Sequence, residues 1–234
     1  MPHYNIRWPE PGVPEPKPDM KTLILLFTIL AAIPIPLPGA QPAILWDGSQ
    51  ANFFSDADGP FTVGFQFRVE SDITVTALGA FDYLGDGFVT PHIVGLWTLA
   101  GGAPIATATV PSGAAGSLVG QFRYVSTSGI SLSANTEYII GASEFYGTVN
   151  DIYAGSVPVP AFSTASEVTF MGARGAGEAP GLVFPTVHFE PLSPTTFGAN
   201  FQFEIVPEPS TGALLGCGLV LFGCASAIRR SFKE

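Results

Sequence analysis

Phe61-Thr62-Val63-Gly64-Phe65-Gln66-Phe67-Arg68-Val69 carries every apolar side chain on an odd-numbered position. Successive residues of a strand face opposite sides, so this alternation predicts a strand with one core face and one polar face. Phe201-Gln202-Phe203-Glu204-Ile205 repeats the pattern late in the chain. Working outward, further strands are predicted at Ile73 to Phe81, His92 to Leu99, Ile105 to Val110, Leu118 to Val125, Glu137 to Ala142 and Val168 to Phe170. Turn signals fall between them: Ser71-Asp72, Asp86-Gly87, Gly101-Gly102, Pro111-Ser112-Gly113, Ser128-Gly129 and Ala134-Asn135. Outside two apolar runs near the ends, no segment holds a capped 3.6-residue period. About eight short strands at this spacing predict an all-β domain, an antiparallel β-sandwich of jelly-roll type. The stretch 147–194 is richer in Gly and Pro and is expected to hold long loops.

The two apolar runs organise the ends. Met20-Lys21 leads into Thr22 to Ile33, then into prolines and Gly39-Ala40. A basic start, about a dozen apolar residues and a small-residue exit make a signal peptide over 20–40, cleaved after Ala40. Residues 1–19 hold six prolines and cannot form a helix or central strand, so they read as a disordered leader or a misassigned start. At the other end Ser210 to Ile228 contains no charged residue, and Arg229-Arg230 and Lys233 follow. Those 19 positions span about 29 Å as a helix, close to the roughly 30 Å core of a bilayer. The basic residues hold the C-terminus in the cytoplasm and put the domain on the other side. The expected organisation is therefore a leader (1–19), a signal peptide (20–40), a β-sandwich ectodomain (41–206) and a tail (207–234) with a single transmembrane helix.

Charge limits what the ectodomain can bind. Between Gln41 and Pro209 there are fifteen acidic residues, three arginines (Arg68, Arg123, Arg174) and no lysine, a net charge of −12. So acidic a surface repels phosphate backbones, which argues against nucleic acid. Without lysine there is no GxxxxGK[ST] phosphate loop. Both cysteines, Cys217 and Cys224, lie in the apolar tail, so the ectodomain must hold together without a disulfide. A chain of this length can bury an adequate core without one.

Val206-Pro207-Glu208-Pro209, the apolar run with its early glycines, and the closing Arg229-Arg230 resemble the PEP-CTERM sorting signal of Gram-negative bacteria. The likeness covers the last 28 residues or so, three parts in fixed order. It implies that the tail sits in the inner membrane, where an exosortase cuts near the motif and passes the protein toward the surface, commonly in bacteria that make exopolysaccharide. By position, Pro207, Glu208 and Pro209 would be the recognition element, and Arg229 and Arg230 the cytoplasmic stop. Two prolines flanking Glu208 keep the segment extended, as a processing cleft requires. The stretch Gly79 to Gly87 with His92 to Trp97 also looks like ectodomains attached to such tails, and that likeness brings no activity. Val13-Pro14-Glu15-Pro16 repeats the motif, but no arginine pair closes the apolar run after it.

Chemistry-bearing residues are few. Neither a GxSxG elbow nor an HExxH occurs, and the ectodomain has only His92 and His188 as imidazoles. His92, after Pro91 at a strand start, reads as a structural, hydrogen-bonded histidine. No catalytic residue is assigned. Asp82 with Asp86, or Glu137 with Glu144, are the carboxylate pairs a glycosidase would need. Calcium takes six to eight oxygen ligands, and Asp47, Asp56-Ala57-Asp58-Gly59 and Asp82 to Asp86-Gly87 could supply some. None completes an EF-hand loop, and the same residues suit turn aspartates bonded to their own backbone. Trp97, Tyr124, Tyr146 and Tyr153 are the aromatics a sugar-binding face would expose. The reading that follows is a non-enzymatic exported protein, structural or adhesive in a surface or exopolysaccharide matrix. The rivals are a calcium-dependent carbohydrate-binding module and, third, a glycoside hydrolase.

Overall fold

A computed structural model of the chain describes residues 39–49, 52–54, 60–145, 151–158, 161–177, 180–188 and 195–207. All of them belong to one compact unit, Leu37–Pro207. In chain order the strands are β1 (Gln41–Pro42), β2 (Ile44–Trp46), β3 (Asn52–Phe54), β4 (Phe61–Val69), β5 (Ile73–Phe81), β6 (His92–Thr98), β7 (Ala106–Val110) and β8 (Ser117–Val119). They continue with β9 (Phe122–Leu132), β10 (Thr136–Phe145), β11 (Tyr153–Val157), β12 (Phe162–Thr164), β13 (Val168–Ala176), β14 (Val187–His188), β15 (Thr195–Phe197) and β16 (Ala199–Ile205). The domain is all-β with antiparallel pairing throughout, a β-sandwich-like arrangement.

Two sheets carry it. One has five strands in the order β1-β16-β5-β9-β8, and the other six in the order β14-β13-β4-β10-β6-β7. The chain crosses between them at β4–β5, β5–β6, β7–β8 and β9–β10, while β6 and β7 form a hairpin within the larger sheet. Side chains of the inner faces meet in one core. Phe67 of β4 lies 4.7 Å, ring to ring, from Phe201 of β16 across the gap. Phe65, Phe81, Phe122, Phe145, Phe197 and Phe203 are fully buried in it as well. At roughly 2 kcal/mol for each large apolar side chain removed from water, these phenylalanines provide a large share of the drive to fold.

The odd-position face of β4 points inward as expected, but its other face is not open to solvent. Thr62 and Gln66 are 1% and 6% exposed, against the expectation of a half-buried strand. The segment 182–185 covers this part of the sheet. Val183 N donates to Thr62 Oγ1 (3.1 Å), and Phe184 meets Trp97 edge-on at 5.8 Å. A row of glycines makes room beneath it. Gly64, Gly141 and Gly95 are register partners across β4, β10 and β6. A Cβ on Gly95 would stand 2.4 Å from the Trp97 ring, and one on Gly64 would stand 1.8 Å from the Ile140 carbonyl oxygen.

Three other expectations need correction. Leu118 to Val125 is two strands, because Gly120 (φ +60°) turns the chain between β8 and β9. Ser128-Gly129 is not a loop between strands. It lies inside β9, in a bulge where Val75 pairs with Ile130 and Ala77 with Ser126, and Gly129 takes φ +84°. The stretch 147–194 contains β11, β12, β13 and β14, including the nine-residue β13 paired with β4. The strand predicted at Val168 to Phe170 is the start of β13, which runs on through the Gly-containing stretch to Ala176 because β4 pairs with it there.

Candidate functional site

The tail leaves the domain from β16, which lies between β1 and β5 in the five-stranded sheet. Alternating Phe201 and Phe203 bury that strand, and Glu204 faces water. Past Ile205, the Val206 amide donates to the Asp72 carbonyl (3.0 Å), and Asp72 Oδ1 accepts the Ala134 amide (2.8 Å). The exit point is thus tied to the β4–β5 and β9–β10 turns. Val206 is 40% exposed and Pro207 is exposed. The first residue of the Pro-Glu-Pro motif stands in solvent two residues beyond a fixed strand. Glu208, Pro209, Arg229 and Arg230 lie outside the described residues, as do the 210–228 run and residues 1–38. Among the described residues no helix is long and apolar enough to cross a membrane.

Asp82, a calcium candidate, is 1% exposed and paired with Arg123. Arg123 donates from Nε (2.7 Å) and Nη2 (2.6 Å) to Asp82 Oδ2, and the Gly87 amide donates to Oδ1 (3.1 Å). The remaining guanidinium hydrogens reach the carbonyls of Ala114 (2.7 Å), Gly116 (3.4 Å) and Gly85 (3.0 Å). One arginine therefore pins the 82–87 loop to the 114–116 loop. Asp86 is exposed and closes the short 3₁₀ turn Tyr83–Gly85. Within that turn Leu84 adopts φ +65° and is 74% exposed, a strained backbone presenting an apolar side chain to water. Asp47 accepts the Ser49 amide at 2.8 Å, the turn-aspartate arrangement, and the bonds from Ser49 hold its carboxyl below the ordinary value. Asp56 and Asp58 lie outside the described residues. Among the described residues, no group of three or more His, Cys, Asp or Glu side chains is placed to hold a metal ion.

His92 is fully buried between Phe88 (4.4 Å) and Phe145 (4.6 Å). Its Nδ1 bonds the Ser143 carbonyl at 2.6 Å, and Nε2 faces Asp151 Oδ2 at 3.9 Å. Asp151 accepts the amides of Val89 (2.9 Å) and Thr90 (2.8 Å) and the Thr90 hydroxyl (3.0 Å). Burial pushes the Asp151 carboxyl up, but His92 and the two amides outweigh it and hold the carboxyl below its ordinary value. This cluster ties the start of β6 to the start of β11.

Of the carboxylates named for hydrolysis, Asp82 and Glu137 are engaged with other side chains. Glu137 accepts Gln66 Nε2 (2.6 Å), and Gln66 in turn accepts Arg174. The Glu144 side chain lies outside the description. Of the aromatics, Trp97 and Tyr124 are 1% and 2% exposed, so neither offers a face to a sugar ring. Tyr124 covers Gly79 on the neighbouring strand, and burial pushes its phenol far up. Tyr153 is half-buried, edge-on to Phe61 at 6.2 Å, and Tyr146 lies outside the described residues. An open depression of about 560 Å³ beside Leu45, Trp46 and Phe162 has Asp47 as its single charged residue. There the Trp46 ring stacks on Phe81 at 5.7 Å and its N–H bonds the Ser49 carbonyl at 3.0 Å.

The roles of Arg123 and Asp151 were not legible from their neighbours in sequence. The available signal for Arg123 was its rarity: a lone arginine inside an apolar strand must find a carboxylate, at whatever separation in sequence. Comparison of the chain with protein-family models, characterised proteins and solved structures gives no match.

Proposed function

We propose that the chain is an exported surface or matrix protein of a Gram-negative bacterium, sorted by an exosortase through its Pro-Glu-Pro tail. Its role is structural or adhesive, linked to exopolysaccharide, and it is not an enzyme. The observation that carries the reading is the tail itself: Pro207-Glu208-Pro209, 19 uncharged residues, then Arg229-Arg230. Pro207 stands exposed two residues past β16, which suits a segment that must enter an enzyme cleft. Cleavage near the motif removes no residue of β16, so the domain keeps this inner strand when released. The strand order also supports a jelly roll. Eight strands divide into two sets of four, β1-β16-β5-β9 and β4-β10-β6-β7, with β13-β14 and β8 added at outer edges.

Two variants test the sorting reading in the native host. Glu208→Ala leaves the apolar run and its basic stop intact, so membrane insertion persists while release fails. Arg229→Glu with Arg230→Glu removes most of the positive charge holding the C-terminus inside, so both anchoring and release fail. Fractionation with immunoblotting and intact mass separates the two. A Glu208→Ala chain cut and exported like wild type would reduce the tail to a plain anchor.

A further inference from the structure

The two main sheets end in four edge strands, and three are short. β1 and β14 have two residues each and β8 has three, with Pro42 in β1. Natural edges are blunted by such shortness, by proline, by charge or by bulges. The stretch of β9 beyond β8 is bulged at Thr127–Gly129. β7 has none of these protections. It runs five residues, Ala106-Thr107-Ala108-Thr109-Val110, with β6 as its single strand partner among the described residues. Pro104 and Pro111 bracket it, so Ile105–Val110 forms an open pairing window of fixed length. A groove of about 450 Å³ runs along it, lined by Ile105 to Thr109 on one side and by Val125 to Ser128 with Ile130 on the other.

We propose that this edge is the contact through which two copies of the chain pair, β7 against β7, antiparallel about Ala108. The sequence is nearly its own reverse. Thr107 of one copy then faces Thr109 of the other, Ala106 faces Val110, and Ala108 faces Ala108. Cross-strand threonine pairs are favourable, and the isologous geometry closes after two copies. Charge selects the same partner. Residues 87–122 and 124–136 contain no Asp, Glu, Lys or Arg, although the ectodomain (41–206) carries −11. A basic partner finds nothing to neutralise along this side, whereas a second copy meets an equally neutral one. The two six-stranded sheets become one continuous sheet, and the contact does not depend on how the tail is processed.

Disulfide trapping tests it, on the full chain in detergent with Cys217→Ser and Cys224→Ser. Opposed residues of an antiparallel pair have Cα atoms about 4.5–5.5 Å apart, within disulfide reach. Mild oxidation of Ala108→Cys is expected to give covalent dimer at least tenfold faster than the exposed control Ser166→Cys. Adding Thr107→Lys and Thr109→Lys, both at exposed positions, places like charges in the seam and is expected to abolish the dimer with an unchanged circular dichroism spectrum. Raising salt is expected to speed trapping, since it screens the repulsion between two acidic domains. Equal rates for Ala108→Cys and Ser166→Cys, indifference to the lysine pair, or slower trapping in high salt would each overturn the proposal.

Discussion

Replacing Asp82 with alanine removes the partner of a guanidinium whose side chain is 5% exposed, while the carboxylate itself is 1% exposed. Breaking a buried pair from one side costs about 3–5 kcal/mol, because the remaining charge stays desolvated. Arg123 keeps three carbonyl partners, those of Ala114, Gly116 and Gly85, which places the loss at the lower end, about 3 kcal/mol. In a domain of this size that is about 6–12 °C in Tm. Removing both charges as Asp82→Leu with Arg123→Met leaves no orphan, so the double variant is expected to be more stable than Asp82→Ala alone. Thermal unfolding of the full chain in detergent, with chelator and again with millimolar calcium, reads all three. The ion-pair account requires the same loss in both conditions. Suppose instead that Asp82→Ala costs less than about 1 kcal/mol in chelator, and that calcium raises the wild-type Tm but not the variant's. The carboxylate would then be a ligand and the pairing argument wrong.

Gly64→Ala would bring a Cβ to 1.8 Å from the Ile140 carbonyl oxygen, a backbone atom held in the β4–β10 ladder. A loss at or above the top of the usual 1–3 kcal/mol overpacking range is expected in urea unfolding, and a neutral result would mean the strands lie farther apart. Leu84→Gly relieves a left-handed leucine that is 74% exposed, and a gain of about 1 kcal/mol is expected in the same assay. Asp151 has a depressed folded pKa, so its contribution is fully present above the unfolded value of about 3.9 and is lost as pH falls through the lower folded value. Asp151→Asn is therefore expected to lower stability near neutral pH and to flatten the acid limb of a stability–pH curve; an unchanged acid limb would show that the group does not titrate with folding.

Alternation along Phe61–Val69 and Phe201–Ile205 was enough, by itself, to determine strands and inward faces. Side-chain direction in a strand is a local property with period two, and both segments sit in the sheets as read. Turn chemistry did the same at Asn135, which takes φ +56°, and at Asp47, whose carboxylate holds its own backbone. The tail reading also rests on consecutive residues alone, and everything past Pro207 lies outside the described residues. Partnership over distance was not legible. Asp82 and Arg123 are 41 positions apart, and although an arginine inside an apolar strand calls for a carboxylate, nothing in the sequence says which one. Trp97 reads as an aromatic that could face a ligand, and it is buried where a segment some eighty-five positions later folds over Gly95 and Gly141. β7 reads as one strand among several; its lack of a second neighbour follows from the order in which the sheet assembles. Local periodicity sets what a residue's own backbone does, while burial, pairing and open edges depend on which distant segments arrive beside it, and only the tertiary structure decides that.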